Sequence, residues 1–333
     1  MEISFFDVLI TVFSLVLLAI PGFILAKIKI LPEKASEALS VIVLYVAQTV
    51  LVVMSFQNKE YTPKLGLNML YVAALAVLIH FIMFTVLRFA FIKKSAEDRV
   101  RVVKFASVFS NCGFMGFPFL QSLFTDPVIC SETLIYGAVI ISVFNVLTWT
   151  VGVYYMTGDL KQVSAKKVFL NPVIIGVAIG FLLFIILQKP VLSYLTEGSA
   201  GYKITEKIVS SLNKISDMVT PLSMIVIGIK LANVDFKKLF LDGLAYVSSA
   251  LKLVFMPLAS ILVVAFLPID STIKYTVFFL FAMPSATGTV LFAVRFGKES
   301  DFASVCVLLS TILSILTIPL MYMLFYGVFG VTI

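Results

Sequence analysis

The sequence predicts an all-α polytopic membrane protein of ten transmembrane helices, arranged as two inverted five-helix repeats. Three observations carry that expectation: the composition, the recurrence of apolar runs of bilayer length, and the uneven placement of basic residues between alternate loops. Of 333 residues, 61% are hydrophobic and only 13% charged, against roughly half and a quarter in soluble domains. A helix needs about 20 apolar residues to cross the hydrocarbon core. Runs of that kind fall at 6–26, 37–56, 66–92, 100–124, 132–156, 171–188, 204–231, 239–267, 272–296 and 301–328.

Each span is delimited by recognisable chemistry. The first follows MEISFFDVLI, which has no basic n-region and no small-residue cleavage site, so it reads as a retained span and not a cleaved signal peptide. KIKILPEK separates the first span from the second, and QNKEYTPK the second from the third. TGDLKQVSAKK follows the fifth and NVDFKK the seventh, both charged and turn-prone. The loops are too short for a separate soluble domain. Cys112, Cys130 and Cys306 form no CxxC or Cys/His cluster, so neither a disulfide framework nor a metal site is expected.

Charge sets the orientation. The loops after the odd-numbered spans hold 17 Lys and Arg residues, from Lys27 to Lys298, and the opposite side holds six: Lys59, Lys64, Lys189, Lys203, Lys207 and Lys274. The positive-inside rule then puts both chain ends outside an inner or plasma membrane. It also accounts for the net charge of +7, so no nucleic-acid partner is expected; the partners expected are the bilayer and a small substrate.

The chain divides at the loop after the fifth span, into 1–160 and 168–333. An odd number of spans per half makes the second half enter the membrane from the opposite side, the inverted repeat of many secondary transporters. Placing Asp98 on Asp270, an offset of 172, brings Gly116 onto Gly288 and the segment NCGFMG (111–116) onto MPSATG (283–288). Both are helix breakers within apolar runs, one in the fourth span and one in the ninth. Unwound backbone in lipid leaves N–H and C=O groups costing several kcal/mol each unless protein, water or substrate satisfies them. Gly and Pro are also common in membrane helices as packing points, but two breaks at matched positions favour a binding site.

The segments SNCGFMGFP (110–118), NPVIIGVAIG (171–180), ISDMVTPLSMIVIGIKLA (215–232) and AMPSATGTVLFA (282–293) resemble the auxin efflux carrier family, which includes bacterial malate and malonate permeases and the plant PIN-formed transporters. The resemblance covers essentially the whole chain. It implies a scaffold domain from spans 1, 2, 6 and 7 (about 6–56 and 171–231) and a transport domain from spans 3–5 and 8–10 (about 66–156 and 239–328). The two broken helices would cross in an X, organic anions would move by an elevator-like motion, and the carrier would be a homodimer through its scaffold. A related architecture belongs to the bile-acid sodium symporters, so sodium-coupled anion symport is the alternative. Pro284 matches the family's crossover proline; in the fourth span that position is Cys112 or Gly113, with Pro118 coming later.

Polar groups inside spans are costly and are functional candidates by default. Asn111 is the first choice for substrate contact, because its amide offers donors and acceptors at the break; capping the following half-helix is its compatible structural role. Cys112, Gly113, Pro284, Ser285 and Thr287 share the breaks, with Gln121 and Asn145 as further substrate candidates. Ser285, Thr287 and Thr289 can equally bond back to their own helix. Gly113, Gly116 and Gly288 are expected to permit close backbone crossing, with Gly116, Pro118 and Gly288 as hinge positions. Asp217, Lys214, Lys252 and His80 are the charge- or proton-coupling candidates. Asp217 and Lys214 can instead pair near the water interface, Lys252 can neutralise an anion or snorkel, and a lone His more often bonds inside the bundle. Gln48 and Asn145 are expected to bridge helices.

No paired carboxylates occur in the fourth, fifth, ninth or tenth spans, which favours proton symport or uniport over sodium coupling; no cofactor is expected. An intramembrane enzyme lacks its parts, with no HExxH and no GxSxG having a His partner. A receptor or assembly protein would leave the two breaks without a purpose.

Overall fold

The computed structural model describes residues 3–32, 34–164, 166, 169–232 and 236–330, with the side chains of 236–238 left aside. Lys167, the side chains of Lys237 and Lys238, the start of the second half at 168, and both chain ends lie outside the described residues. Eight described stretches are helices long and apolar enough to cross a membrane, and the described residues contain no strand beyond one isolated β-bridge.

The first half runs through α1 (Phe5–Lys27), α2 (Ala35–Gln57) and α3 (Pro63–Ala90). Then come the half-helix α4 (Asp98–Val108), a π turn (Cys112–Gly116) leading into α5 (Phe117–Leu123), and α6 (Pro127–Thr157). Starts are set by local chemistry. Ser4 and Asp7 form a reciprocal capping box on α1. Thr62, Asp126 and Asn171 cap helices whose first residue is proline, where the missing N–H costs nothing. Those caps carry the third and fifth helices three and five residues upstream of their expected starts.

The second half comprises α7 (Pro172–Leu187), α8 (Ala200–Asp217), α9 (Val219–Ala232), α10 (Gly243–Ala265), the half-helix α11 (Ser271–Ala282), α12 (Gly288–Arg295) and α13 (Ser300–Phe329). The expected seventh span at 204–231 falls within one apolar stretch, Ala200–Ala232, which a turn at Met218 divides into α8 and α9. In α8 only Ser216 is buried, because the segment alternates apolar and charged residues with helical period. The buried part of the span is α9.

Two sets of helices pack separately. In one, α1 lies along α9 and α7 along α2, with α8 also against α2. These contacts are backbone-close: a β-carbon on Gly228 would sit 1.9 Å from the Ala19 carbonyl oxygen, and one on Gly22 would sit 2.2 Å from that of Ile225. In the other set, α3 packs on α6, α10 on α11 and α13, and α12 on α13. Charged groups tie this second set at both ends. Lys298 and Arg101 reach Asp98, and Arg99 reaches Asp242. At the opposite ends of these helices Lys64 reaches Asp270 and Lys59 reaches Glu132. The sets meet where α1 touches α13, where α1 and α9 touch α5, and where α2 and α7 touch α6.

Candidate functional site

Both breaks lie where the expectation put them, and they meet. Between α4 and the π turn the chain is extended at Phe109. Between α11 and α12 it is irregular from Met283 to Thr287. Ser110 and Ser285 form an antiparallel bridge: the Asn111 N–H donates to the Pro284 carbonyl at 2.7 Å, and the Ala286 N–H to the Phe109 carbonyl at 2.7 Å. The contact centres on an offset of 175, three residues from the one the sequence suggested. The break in the ninth segment is longer than that in the fourth, so matching the aspartates at the helix starts misplaces its middle.

Backbone bookkeeping explains why the crossing needs side chains. Pro284 has no N–H, so the Leu280 carbonyl loses its helical donor; the Cys112 thiol donates to it at 3.6 Å. The Ser285 N–H, which in a continuous helix would bond the Phe281 carbonyl, donates instead to Ser310 Oγ on α13 at 3.1 Å. The Phe281 carbonyl then accepts from Lys252 Nζ at 3.2 Å, and the same ammonium bonds Ser110 Oγ. Buried backbone groups are paired as a rule, and here the partners come from α10, α13 and the opposite break.

Among the described residues nine buried side-chain N and O atoms lack a hydrogen-bond partner; five belong to residues in or beside the two breaks, and the other four to Thr148, Ser223, Ser249 and Thr317. Asn111 is buried and its Nδ2 has no hydrogen-bond partner. It makes no side-chain cap on the π turn, so the capping role is corrected: the Asn111 carbonyl, not its amide, holds the Met115 and Gly116 N–H groups. Gln48 on α2 is buried with both amide atoms unpartnered, which corrects its expected role as an interhelical bridge. A β-carbon on Gly113 would lie 2.8 Å from Gln48 Nε2, so Gly113 lets this amide stand against the break. Ser285 Oγ and Thr289 Oγ1 are likewise buried without partners, against their expected bonding back to the helix.

The other candidates divide between the crossing and elsewhere. Gly116 faces Leu280, whose Cδ2 would be 2.5 Å from an added β-carbon. Gly288 has open space around it, so its role in close crossing is corrected; the approach is made upstream, at Ser285. Pro118 sits in the first turn of α5, and Thr287 precedes α12 without a side-chain cap. Lys252 is fully buried, so it does not snorkel. His80 lies beside the crossing, with Nδ1 donating to the Ala76 carbonyl at 2.7 Å and its ring edge-on to Phe281.

Gln121 accepts from Thr220 Oγ1 at 3.0 Å. Together with Asp217, Thr125 and Cys130 they line a separate polar cavity of about 450 Å³. Asp217 and Lys214 are both exposed and make no ion pair with each other, which corrects that pairing. Asn145 bonds the Ile141 carbonyl and accepts from Asn171 at 3.1 Å, joining α6 to the start of α7. Sequence reasoning undervalued Gln48 and passed over Ser110 as a ligand to Lys252. A lone amide in the second span was the available signal for the first.

Among curated proteins none matches the chain by overall sequence. A family of membrane transport proteins does, and it matches twice, over residues 7–166 and 156–322. The two matches meet in the loop before α7, dividing the chain where its helices divide. With both halves matched and two broken helices paired between them, the chain belongs to the membrane transport protein family, that of the auxin efflux carriers.

Proposed function

We propose that this protein is a secondary transporter that carries small organic anions, such as dicarboxylates or auxin-like acids, across the plasma membrane. Substrate binds at the crossing of the broken helices. The observation that carries this reading is the set of buried, unpartnered polar groups converging there: Gln48, Asn111, Ser285 and Thr289. A buried donor without a partner costs about 1–3 kcal/mol, and a carboxylate oxygen satisfies the Asn111 and Gln48 amide donors. The first turn following each break adds N–H groups and partial positive charge. Among the described residues no carboxylate pairs with Lys252 to cancel its charge, which supports an anionic cargo.

The packing supports an elevator. Spans α1, α2 and α7 with α8–α9 form the scaffold; α3–α6 and α10–α13 form the transport domain, braced at both ends by ion pairs. The ten-span inverted topology, the extracytoplasmic chain ends and a scaffold-mediated homodimer belong to the same proposal. Gln48 comes from the scaffold side, so its contact with the site changes as the transport domain moves.

A thermal-shift screen of dicarboxylates, monocarboxylates and indole acids tests the cargo. At least one anion is expected to stabilise the wild type and not Asn111→Ala. Stabilisation by neutral or cationic compounds alone would sink the anion assignment.

A further inference from the structure

We propose that α3, α4 and α6 together form a binding site for an anionic phosphate group, that of a phospholipid in the adjoining leaflet or of free phosphate. The site lies away from the helix crossing, and the transport role of that crossing does not enter it.

Three cations converge there without acceptors to match. Lys104, in the middle of α4, is only 7% exposed. Its ammonium nevertheless makes no hydrogen bond and no ion pair among the described residues. It stands over the ring of Tyr155 on α6, 5.8 Å from the centroid, a contact that favours a cation but gives its N–H groups no oxygen. The Tyr155 hydroxyl donates to the Phe84 carbonyl of α3 at 3.1 Å, which fixes that ring between the two helices. Arg101, one turn before Lys104, lies over Gly158, the left-handed residue that ends α6; its Nη2 would be 2.6 Å from a β-carbon there. The Arg101 Nε donates to the Ala96 carbonyl at 3.3 Å, and neither Nη has a hydrogen-bond partner among the described residues. Arg88, in the last turn of α3, is close enough for its charge to act on both Lys104 and Tyr155. The nearest paired carboxylate, Asp98, is 3.7 Å from Arg101 Nε and is held more closely by Lys298 at 2.8 Å.

Like charges gathered around a buried ammonium are costly unless an anion joins them. Phosphate suits the place, because its oxygens accept from a guanidinium fork and from an ammonium on different sides at once. The surroundings suit a lipid: Phe89 and Ile92 beside Arg88 in the chain, and Tyr154 beside Tyr155, expose large apolar side chains. Apolar anchors flanking a basic pocket between spans are what an anionic headgroup and its acyl chains would meet.

The test reads the melting temperature of the purified protein in detergent with phosphatidylcholine. Phosphatidylglycerol is added in one arm, and sodium phosphate replaces sodium chloride at equal ionic strength in another. At least one phosphate source is expected to raise the wild-type melting temperature by about 2 °C or more. A response to the lipid alone assigns the site to a headgroup, and a response to the salt assigns it to free phosphate. Lys104→Met, which keeps the volume without the charge, is expected to lose that increment. Lys93→Gln combined with Lys94→Gln removes basic charge beyond the end of α3 and is expected to keep it. The proposal is overturned if neither source stabilises wild type, if Lys104→Met keeps the full increment, or if the Lys93 and Lys94 variant loses it equally. Should Lys104→Met fail to fold, Arg88→Gln, at an exposed position, decides by the same comparison.

Discussion

Two backbone crossings in this molecule solve the same problem of close approach in opposite ways. Where α1 meets α9, both helices are continuous, and glycines at 22 and 228 let carbonyls approach within what a β-carbon would occupy. Among the described residues no backbone hydrogen bond passes between these two helices, and only Pro21, which has no N–H, interrupts the ladder of α1 beside the contact, so contact is by van der Waals packing of small residues. Where the fourth and ninth segments meet, both helices are opened, and their freed groups bond to one another and to Ser310, Cys112 and Lys252. The first crossing is chemically closed. The second leaves amides and hydroxyls facing inward, which gives it something to offer a ligand.

The largest expected break in this comparison is Gly228→Leu. The added side chain would overlap the Ala19 carbonyl, and overpacking of this kind costs about 3 kcal/mol or more; folded yield in detergent should collapse, with transport lost along with it. An unchanged melting temperature would show that the α1–α9 contact yields easily.

Asn111→Ala should do the reverse, lowering transport in proteoliposomes by about tenfold or more while leaving stability near wild type, since the Asn111 Nδ2 has no partner within the protein to lose. A large loss of melting temperature with transport intact would reassign Asn111 to structure. Gln48→Leu comes next: weaker substrate affinity is expected, with the protein itself as stable or more so, because an unpaired buried amide is removed. Equal affinity would exclude Gln48 from the site.

The smallest effect belongs to the braces at the ends. The Lys64 ammonium beside Asp270 holds its carboxyl below the ordinary aspartate range, with Asn68 helping. A depressed value means the contact stabilises the fold above the unfolded aspartate range and is lost as pH falls through the folded value. The pair is exposed to solvent, so Asp270→Asn should cost less than about 1 kcal/mol at neutral pH, and less still in acid. A pH-independent difference between the two proteins would show that Lys64 does not engage Asp270.

Much of the fold was legible because bilayer spans announce themselves by length and apolarity, and capped prolines mark their starts. In the seventh segment hydropathy found the stretch but not its turn at Met218, nor that the charges of α8 leave it exposed while α9 is buried. The site was legible in part. Asn111 and Ser285 could be named because Gly and Pro beside them signal an opened helix. Gln48 could not, since nothing in its own span distinguishes an amide that bonds a neighbour from one left facing a break. Gly288 was overvalued for a related reason: sequence offset cannot say which of several small residues makes the approach.

The sequence by itself therefore determined the membrane class, the two-part repeat, the location of both breaks and the family, because each depends on local composition or on order along the chain. The tertiary structure alone decided which atoms meet: that Ser110 faces Ser285, that Lys252 reaches both breaks, and that Gln48 stands unpaired against Gly113. These are contacts between residues 29 to 175 positions apart. Their existence is set by helix crossing geometry and by where each freed backbone group finds a partner, neither of which is written in any one segment.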